Sequence, residues 1–350
     1  MLYSSTILKY PVLTLLSIGK RSFENMGLLI GRKGDAVKRL LHPAGYSFDV
    51  SRNISQSMFS KNETVCVGID DTLIKKIYSR FMQGAGMFFD TKIGRCIMAY
   101  RLVIGIITDG KFAIPIDCAY LFTKEILDSI KEKFPSKDDI AKSIVKTAIK
   151  LFSKEKIVVV VDGLYASVEF IRWCKAENIK LEARMHSNRV VIYNGERIKV
   201  KDLLCKKGLQ PKGRQMARTI SVIWHEIDLE LTIVRRFDKS EKESIVFQIA
   251  TYKALPRVHV ANYKKRWKIE MLNRTTKQEI GLQECFSRSL ETQHNHTAAV
   301  LLAYSFAQLE RKLSRLDNVE QALKRFKTKS VKYLIDRFNR FIKDIQHVDA

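Results

Sequence analysis

The sequence predicts an α/β protein in which a mixed β-sheet is flanked by helices and interrupted by an antiparallel β insertion, with helical regions at both ends. Between residues 64 and 184, β-rich runs alternate with amphipathic helices. The apolar run from Lys156 to Asp162 is typical of a strand that is buried on both faces of a sheet. From residue 185 to residue 255, long stretches of alternating apolar and polar residues indicate antiparallel strands.

The elements of the main domain follow the order β-β-β-α-β-α-β. Strands are predicted at residues 64–71, 95–108, 111–121, 156–162 and 180–184, and helices at 138–152 and 166–177. Asp109-Gly110 is a strong hairpin signal between the second and third strands. This order is that of an RNase H-like fold.

Four regions are expected along the chain: a helical N-terminal region at 1–60, the main domain at 61–184 and 256–305, the insertion at 185–255, and a helical C-terminal region at 306–350. The insertion is expected to contain a hairpin around Asn194-Gly195, followed by strands at 218–237 and 244–252. Further helices are predicted at 260–284 and 297–316.

In the N-terminal region, Pro11 is expected to open one helix and Ser22 to cap another. A basic turn, Gly31–Gly34, separates that second helix from a third at 35–41. Two short helices around such a turn resemble a helix-turn-helix that binds DNA. A helical hairpin packed on the main domain is the alternative.

In the C-terminal region, apolar residues recur at helical spacing between Val331 and Ile345. We expect this stripe either to form a dimer contact or to pack against the chain itself.

The charge of the chain indicates its partner. Lys and Arg number 62 against 37 Asp and Glu, a net charge of +25. Such an excess favours a polyanion, nucleic acid first, because each neutralised phosphate releases counterions. A ribosome-associated protein or a basic surface without a specific role is the alternative. The six scattered cysteines form no CxxC pair, which argues against a zinc ribbon and suits a reducing cytosol. No membrane partner is expected, because no apolar run is long enough to span a bilayer.

Acidic residues end two of the predicted strands, Asp70-Asp71 the first and Asp162 the fourth. In an RNase H-like order these strands are neighbours, so their carboxylates would meet at one sheet edge. Glu270 lies on the helix that follows the insertion. Acids gathered in this way need cations, and two divalent ions bound by carboxylate oxygens can support phosphoryl transfer. Taken singly, each acid is more often a turn, a cap or an ion-pair partner.

The helix after the insertion carries a more specific pattern. Tyr263-x2-Arg266-x3-Glu270-x6-Lys277 resembles the Y-R-E-K signature of bacterial insertion-sequence transposases with a DDE active site. Asp71-Thr72 and Val161-Asp162-Gly163 resemble the first and second acid motifs of this group, which also has a β insertion between the second and third acids. The resemblance runs from about residue 60 to residue 305.

The resemblance implies an enzyme, a DDE transposase that binds the terminal inverted repeats of a transposon and catalyses metal-dependent strand cleavage and transfer to target DNA. Asp71, Asp162 and Glu270 would be the catalytic metal ligands for two Mg²⁺ ions, with Mn²⁺ as a substitute. The phosphates of the DNA would be held by Tyr263, Arg266, Lys277, Arg184 and Arg274. A homodimer in the synaptic complex and a place at the nucleoid in the bacterial cytoplasm are also implied.

Residue spacing agrees with this assignment, because residues 266, 270, 274 and 277 share one face of a helix. Transposases of this group cleave through a DNA hairpin and stack a flipped base on an aromatic residue of the insertion. Phe247 is at the matching position, and Trp224 is the other candidate. Adjacent strand residues point to opposite faces, so only one of Asp70 and Asp71 can join the site. The family register favours Asp71.

Two other functions remain open. The first is another RNase H-like nuclease, such as a junction resolvase, which would lack both the Tyr-Arg-Glu-Lys helix and the long insertion. The second is a decayed or domesticated transposase that acts only as a DNA-binding protein.

Overall fold

The computed structural model describes residues 5–41, 46–60, 62–79, 81–126, 135–211, 216–237, 240 and 242–348. Its strands are β1 Val65–Lys75, β2 Gly86–Asp90, β3 Arg95–Thr108, β4 Ala113–Leu121, β5 Ile157–Val161, β6 Leu181–Met185, β7 Val190–Tyr193, β8 Glu196–Lys199, β9 Ala217–Trp224, β10 Ile227–Phe237 and β11 Glu243–Ala250. Its helices include α1 Ser5–Leu16, α2 Phe23–Leu28, α3 Gly34–Arg39, α4 Asp49–Met58, α5 Lys137–Leu151, α6 Val168–Ala176, α7 Pro256–Lys265, α8 Trp267–Thr275, α9 Leu290–Leu313, α10 Val319–Phe326 and α11 Val331–Val348.

The centre of the sheet has the predicted mixed topology. Strand β3 lies antiparallel between β1 and β4, while β1 is parallel to β5 and β5 is parallel to β6. The order β4-β3-β1-β5-β6 is that of an RNase H-like sheet, so the predicted fold class is confirmed. Strand β2, which the sequence did not reveal, pairs with the first half of β3.

The insertion extends this same sheet. Strand β11 pairs antiparallel with β6, and the sheet continues through β10, β9, β7 and β8. The single strand expected at 218–237 is two strands joined at His225 and Glu226, whose φ angles are 48° and 65°. Non-glycine residues seldom adopt such angles, so this pair gave no turn signal in the sequence.

Helices cover both faces of the central sheet. Gly105 on β3 lies against α5, where a Cβ atom would overlap Ile144 Cγ2. Gly68 on β1 lies on the other face, where a Cβ atom would be 3.9 Å from Ile269 Cβ on α8. Successive residues of β1 therefore face α8 and α5 in turn.

The N-terminal region packs on the main domain. Pro11 lies inside α1, which begins at Ser5, so the prediction that Pro11 opens a helix is wrong. Ser22 does cap α2, by accepting a hydrogen bond from the Asn25 amide. Helices α2 and α3 contact each other, and Met26 and Val37 share a buried cluster with α1 and α9.

The C-terminal stripe is part of the chain's own core. Leu334 and Phe338 on α11 are fully buried, and the Phe338 ring stacks on Phe306 of α9 with centroids 3.9 Å apart. Glu310 of α9 is buried and pairs with Arg337 of α11 at 2.6 Å. Of the two expectations for this stripe, packing within the chain is the one observed.

We predict that Phe338→Ala lowers the free energy of unfolding by about 3–5 kcal/mol, because it removes a stacked ring from a closed core. Tyr333→Ala, on the same helix but 39% exposed, should change it by less than about 1 kcal/mol. Chemical denaturation measures both values. Equal effects of the two substitutions would show that α11 is not held by this stripe.

Candidate active site

Two acids are held side by side by strand pairing. In the parallel pair of β1 and β5, Ile69 lies opposite Val161, so Asp70 and Asp162 occupy the next position of each strand. Asp70 lies on the α8 face, because it is two residues from Gly68. Asp162 begins the turn after β5, where its Oδ1 accepts a hydrogen bond from the Leu164 amide at 2.7 Å.

The neighbouring acid, Asp71, lies on the opposite face of β1. Its carboxylate is 3.4 Å from both Arg101 Nε and Lys137 Nζ, and it accepts a hydrogen bond from the Tyr165 hydroxyl at 3.3 Å. Lys137 begins α5, and its Nζ lies 3.7 Å from the centre of the Tyr165 ring. On the sheet face that α8 covers, the residue of β1 that lies beside Asp162 is therefore Asp70 and not Asp71.

The third acid comes from the helices after the insertion. Instead of one helix over 260–284, α7 and α8 meet at Arg266, and a π-helical turn, Thr276–Ile280, ends before Gly281. Gly281 has a φ of 89°, which favours glycine. Arg266 Nη1 lies 3.6 Å from Asp70 Oδ2, and its Nη2 also pairs with Glu270. Arg266 therefore links the first and third acids.

The predicted face of α8 borders an open cleft of about 420 Å³. Glu270, Arg274 and Lys277 line it together, as their spacing predicted. Thr72 on β1 and Lys92 in the turn between β2 and β3 also line it, and neither was predicted to do so. Lys92 could not be predicted as part of the site, because it follows the unpredicted strand β2 and is distant in sequence from every acid motif.

Burial and neighbouring charges shift the pKa values in this site. The pKa of Asp70 is raised to about 7, mainly by burial and then by the charge of Asp162, while Arg266 acts in the opposite direction. The pKa of Lys277 is lowered to about 8, mainly by burial and then by the nearby cations of Lys75 and Lys92. Both shifts show that like charges have been brought together in a partly dehydrated place.

The three acids provide suitable ligand atoms for a metal ion. Asp70, Asp162 and Glu270 offer only carboxylate oxygens, the ligands that Mg²⁺ prefers. In the part of the chain that the structure describes, no three acidic, His or Cys side chains are grouped closely enough to hold an ion. The Arg266 guanidinium is paired with Asp70 and Glu270 in this arrangement. Binding of an ion by all three acids therefore requires Arg266 to release Glu270.

A buried polar network holds α7 on the sheet. Glu182 of β6 accepts a hydrogen bond from the Tyr252 hydroxyl, and its Oε1 lies 3.0 Å from His259 Nδ1. Asn262 of α7 donates to the Tyr252 hydroxyl at 3.1 Å. These contacts join the end of the insertion to the helix that carries Tyr263.

The other predicted DNA-contacting residues differ in accessibility. Arg184 is exposed, and its charge lowers the pKa of Tyr263, a group whose pKa burial raises. Tyr263 is only 6% exposed and lies beneath Arg266, with the guanidinium carbon 5.8 Å from the ring centre. The Tyr263 side chain is therefore less accessible to a phosphate than the Arg266 side chain.

The burial of Phe247 does not support the predicted stacking of a base on its ring. Phe247 is only 5% exposed and packs in the main core opposite Ile233, and Trp224, the other candidate, is only 4% exposed. Because β11 joins the central sheet, its inward side chains enter the core. Trp267 and Phe237 are exposed instead, and both line a cleft of about 460 Å³ between β10 and α7.

Comparisons with known proteins relate part of the chain to a known domain. A search of curated proteins found no match. In the described residues, no helix has both the length and the apolar character needed to cross a membrane. A family model described as "Transposase DDE domain" matches residues 136–306, which include Asp162 and Glu270 but not β1. Residues 136–306 of this chain are therefore similar to the transposase DDE domain, as the sequence resemblance predicted.

Proposed function

We propose that this chain binds the ends of a DNA transposon, cleaves DNA strands there and joins them to target DNA. The observation that carries the proposal is the placement of Asp70 beside Asp162 and next to Arg266, which also pairs with Glu270, in a protein that matches the transposase DDE domain. The net charge of +25 supports a DNA substrate, because phosphates supply the opposite charge.

Asp70, Asp162 and Glu270 are the residues proposed to hold Mg²⁺, with Mn²⁺ as a substitute. When bound, a pair of such ions activates the attacking oxygen and stabilises the leaving oxygen of the phosphoryl transfer. Asp70 takes the place that the family register gave to Asp71, because it lies beside Asp162 and Arg266.

Asp71 has a positioning role in this proposal. Its hydrogen bond from Tyr165 fixes the turn that begins at Asp162, and its ion pairs fix β3 and the start of α5. The Tyr165 amide also donates to the Asp162 carbonyl at 3.2 Å, so the two residues belong to one turn. Asp71 therefore acts on the second acid through Tyr165.

The cations around the acids are proposed to bind DNA phosphates. Arg274, Lys277 and Lys92 line the same cleft as Glu270, and Arg184 is exposed near Tyr263. Arg266 balances the charges of Asp70 and Glu270 and is available to a phosphate once those acids bind metal. Tyr263 supports Arg266 from below rather than reaching DNA itself.

The active assembly is proposed to be a homodimer on paired transposon ends, working where bacterial DNA lies, in the cytoplasm at the nucleoid. Strand transfer needs both ends in one complex. The stripe on α11 is occupied within the chain, so the contact between protomers must use another surface.

We predict that Asp162→Asn and Glu270→Gln each abolish Mg²⁺-dependent cleavage of a plasmid that carries the element's ends. Loss of one metal ligand removes several kcal/mol of transition-state stabilisation, a rate loss of roughly a hundredfold or more. Binding of duplex DNA should persist, because phosphate contacts supply most of it. Glu169→Gln, an exposed acid on α6, is the control.

Full cleavage by either site variant would overturn the metal assignment. A wild-type chain that binds DNA and never cuts it would identify a decayed transposase instead.

We predict that Asp70→Asn abolishes cleavage, whereas Asp71→Asn keeps it within about tenfold and lowers stability by about 1–3 kcal/mol through its lost partners. Cleavage kinetics and thermal denaturation measure the two effects. The opposite ranking, with Asp71→Asn inactive and Asp70→Asn active, would return the site to the family register.

We also propose that Trp267 and Phe237 provide the aromatic surface for an unstacked base, because both are exposed beside Arg266 and Lys264. Trp267→Ala should reduce quenching of a 2-aminopurine placed at the transposon end, since base stacking on an aromatic ring contributes about 1–3 kcal/mol. Phe247→Ala should reduce stability and leave the quenching unchanged in folded protein. Quenching that depends on Phe247 and not on Trp267 would contradict this proposal.

A further inference from the structure

A second cationic cleft lies apart from the acids, between α2, α3 and the extended segment 281–289. Its volume is about 550 Å³. Lys20, Lys38 and Arg288 line it with one carboxylate, that of Glu24. Glu24 lies against Gly34 at the start of α3, so it borders the cleft at the edge of the helix pair. Positive charge therefore predominates in the cleft.

The three cations are available to a ligand. All three are exposed, and across the described ranges none of them pairs with a carboxylate. Lys20 Nζ lies 4.9 Å from the ring centre of Phe286, which is 55% exposed and lines the same cleft. Unpaired lysine and arginine side chains are the groups that bind phosphates of duplex DNA.

The walls of the cleft are fixed by buried hydrogen bonds. Gln293 Nε2 donates to the Ser287 carbonyl at 2.6 Å and to the Cys285 carbonyl at 3.1 Å. Lys76, which follows β1 directly, donates from Nζ to the Cys285 and Gln283 carbonyls. Segment 281–289 is thus attached both to α9 and to the strand that carries Asp70, which holds the cleft in a fixed place relative to the acids.

Strand β1 leads from the acids to the wall of the second cleft. Six residues of extended chain separate Asp70 from Lys76, a length of about 20 Å that corresponds to about six phosphates along one strand of B-DNA. Lys92 and Lys277 line the first cleft beside this path, where the charge of Lys75 acts on Lys277. Arg288, Lys20 and Lys38 line the second cleft, whose wall Lys76 holds.

We propose that this second cleft binds backbone phosphates of the duplex that leads away from the cut end, several base pairs from the acids. The inference rests on the proposed function and adds a binding site to it. The contact is independent of sequence, because lysine and arginine recognise the phosphates and not the base edges. The bound duplex would then extend from the catalytic cleft to helices α2 and α3.

The test uses the full chain and a 30-base-pair duplex of arbitrary sequence, with affinity measured by fluorescence anisotropy over a range of salt concentrations. Lys20→Ala/Lys38→Ala should weaken binding and reduce the slope of log affinity against log salt by about 1.8, for two lost phosphate contacts. Lys146→Ala/Lys150→Ala removes the same charge from the exposed surface of α5, on the other side of the sheet, and should leave the slope unchanged. Circular dichroism checks that all variants are folded.

A second measurement fixes the position of the contact. On a duplex that ends four base pairs from the cleavage position, the Lys20→Ala/Lys38→Ala variant and the wild-type chain should bind equally. Unchanged slope and affinity for the long duplex would overturn the second cleft while leaving the proposed function intact. Failure of the wild-type chain to bind any duplex would overturn both.

Discussion

The burial of Asp70 beside Asp162 is the constraint on which the site depends. Parallel pairing of β1 with β5 holds the two carboxylates side by side, and the pKa of Asp70 rises to about 7, mainly because of burial and then because of the charge of Asp162. Such an arrangement is unfavourable unless cations balance it. Arg266 lies 3.6 Å from Asp70 and also pairs with Glu270, so the helix after the insertion brings this cation to the acids.

The insertion contributes to the site through the sheet. Because β11 pairs with β6, the Glu182 network can hold α7 against the central strands, and α7 leads directly into Arg266. The same pairing buries Phe247 and leaves Phe237 and Trp267 exposed beside the helix. The continuity of the sheet therefore explains both the position of the cations that are proposed to bind phosphates and the identity of the exposed aromatic residues.

Much of this arrangement could be predicted from local sequence patterns. The apolar run ending at Asp162 and the Asp109-Gly110 turn predicted the central strands, and helical spacing placed Glu270, Arg274 and Lys277 on one face. The sequence could not show which of Asp70 and Asp71 joins the site, because β1 is apolar on both faces and has no alternating pattern that marks one of them. Lys92 depends on the short strand β2, and the burial of Phe247 depends on long-range pairing, and neither leaves a local signal.

The most direct test of the account is the position of a bound metal ion. A crystal of the protein soaked in Mn²⁺ would show anomalous scattering that identifies the ligands without any assay of activity. The account predicts a peak between the carboxylates of Asp70 and Asp162 on the α8 face, with Arg266 moved away from Glu270. A peak at Asp71, on the α5 face beside Arg101 and Lys137, would contradict it.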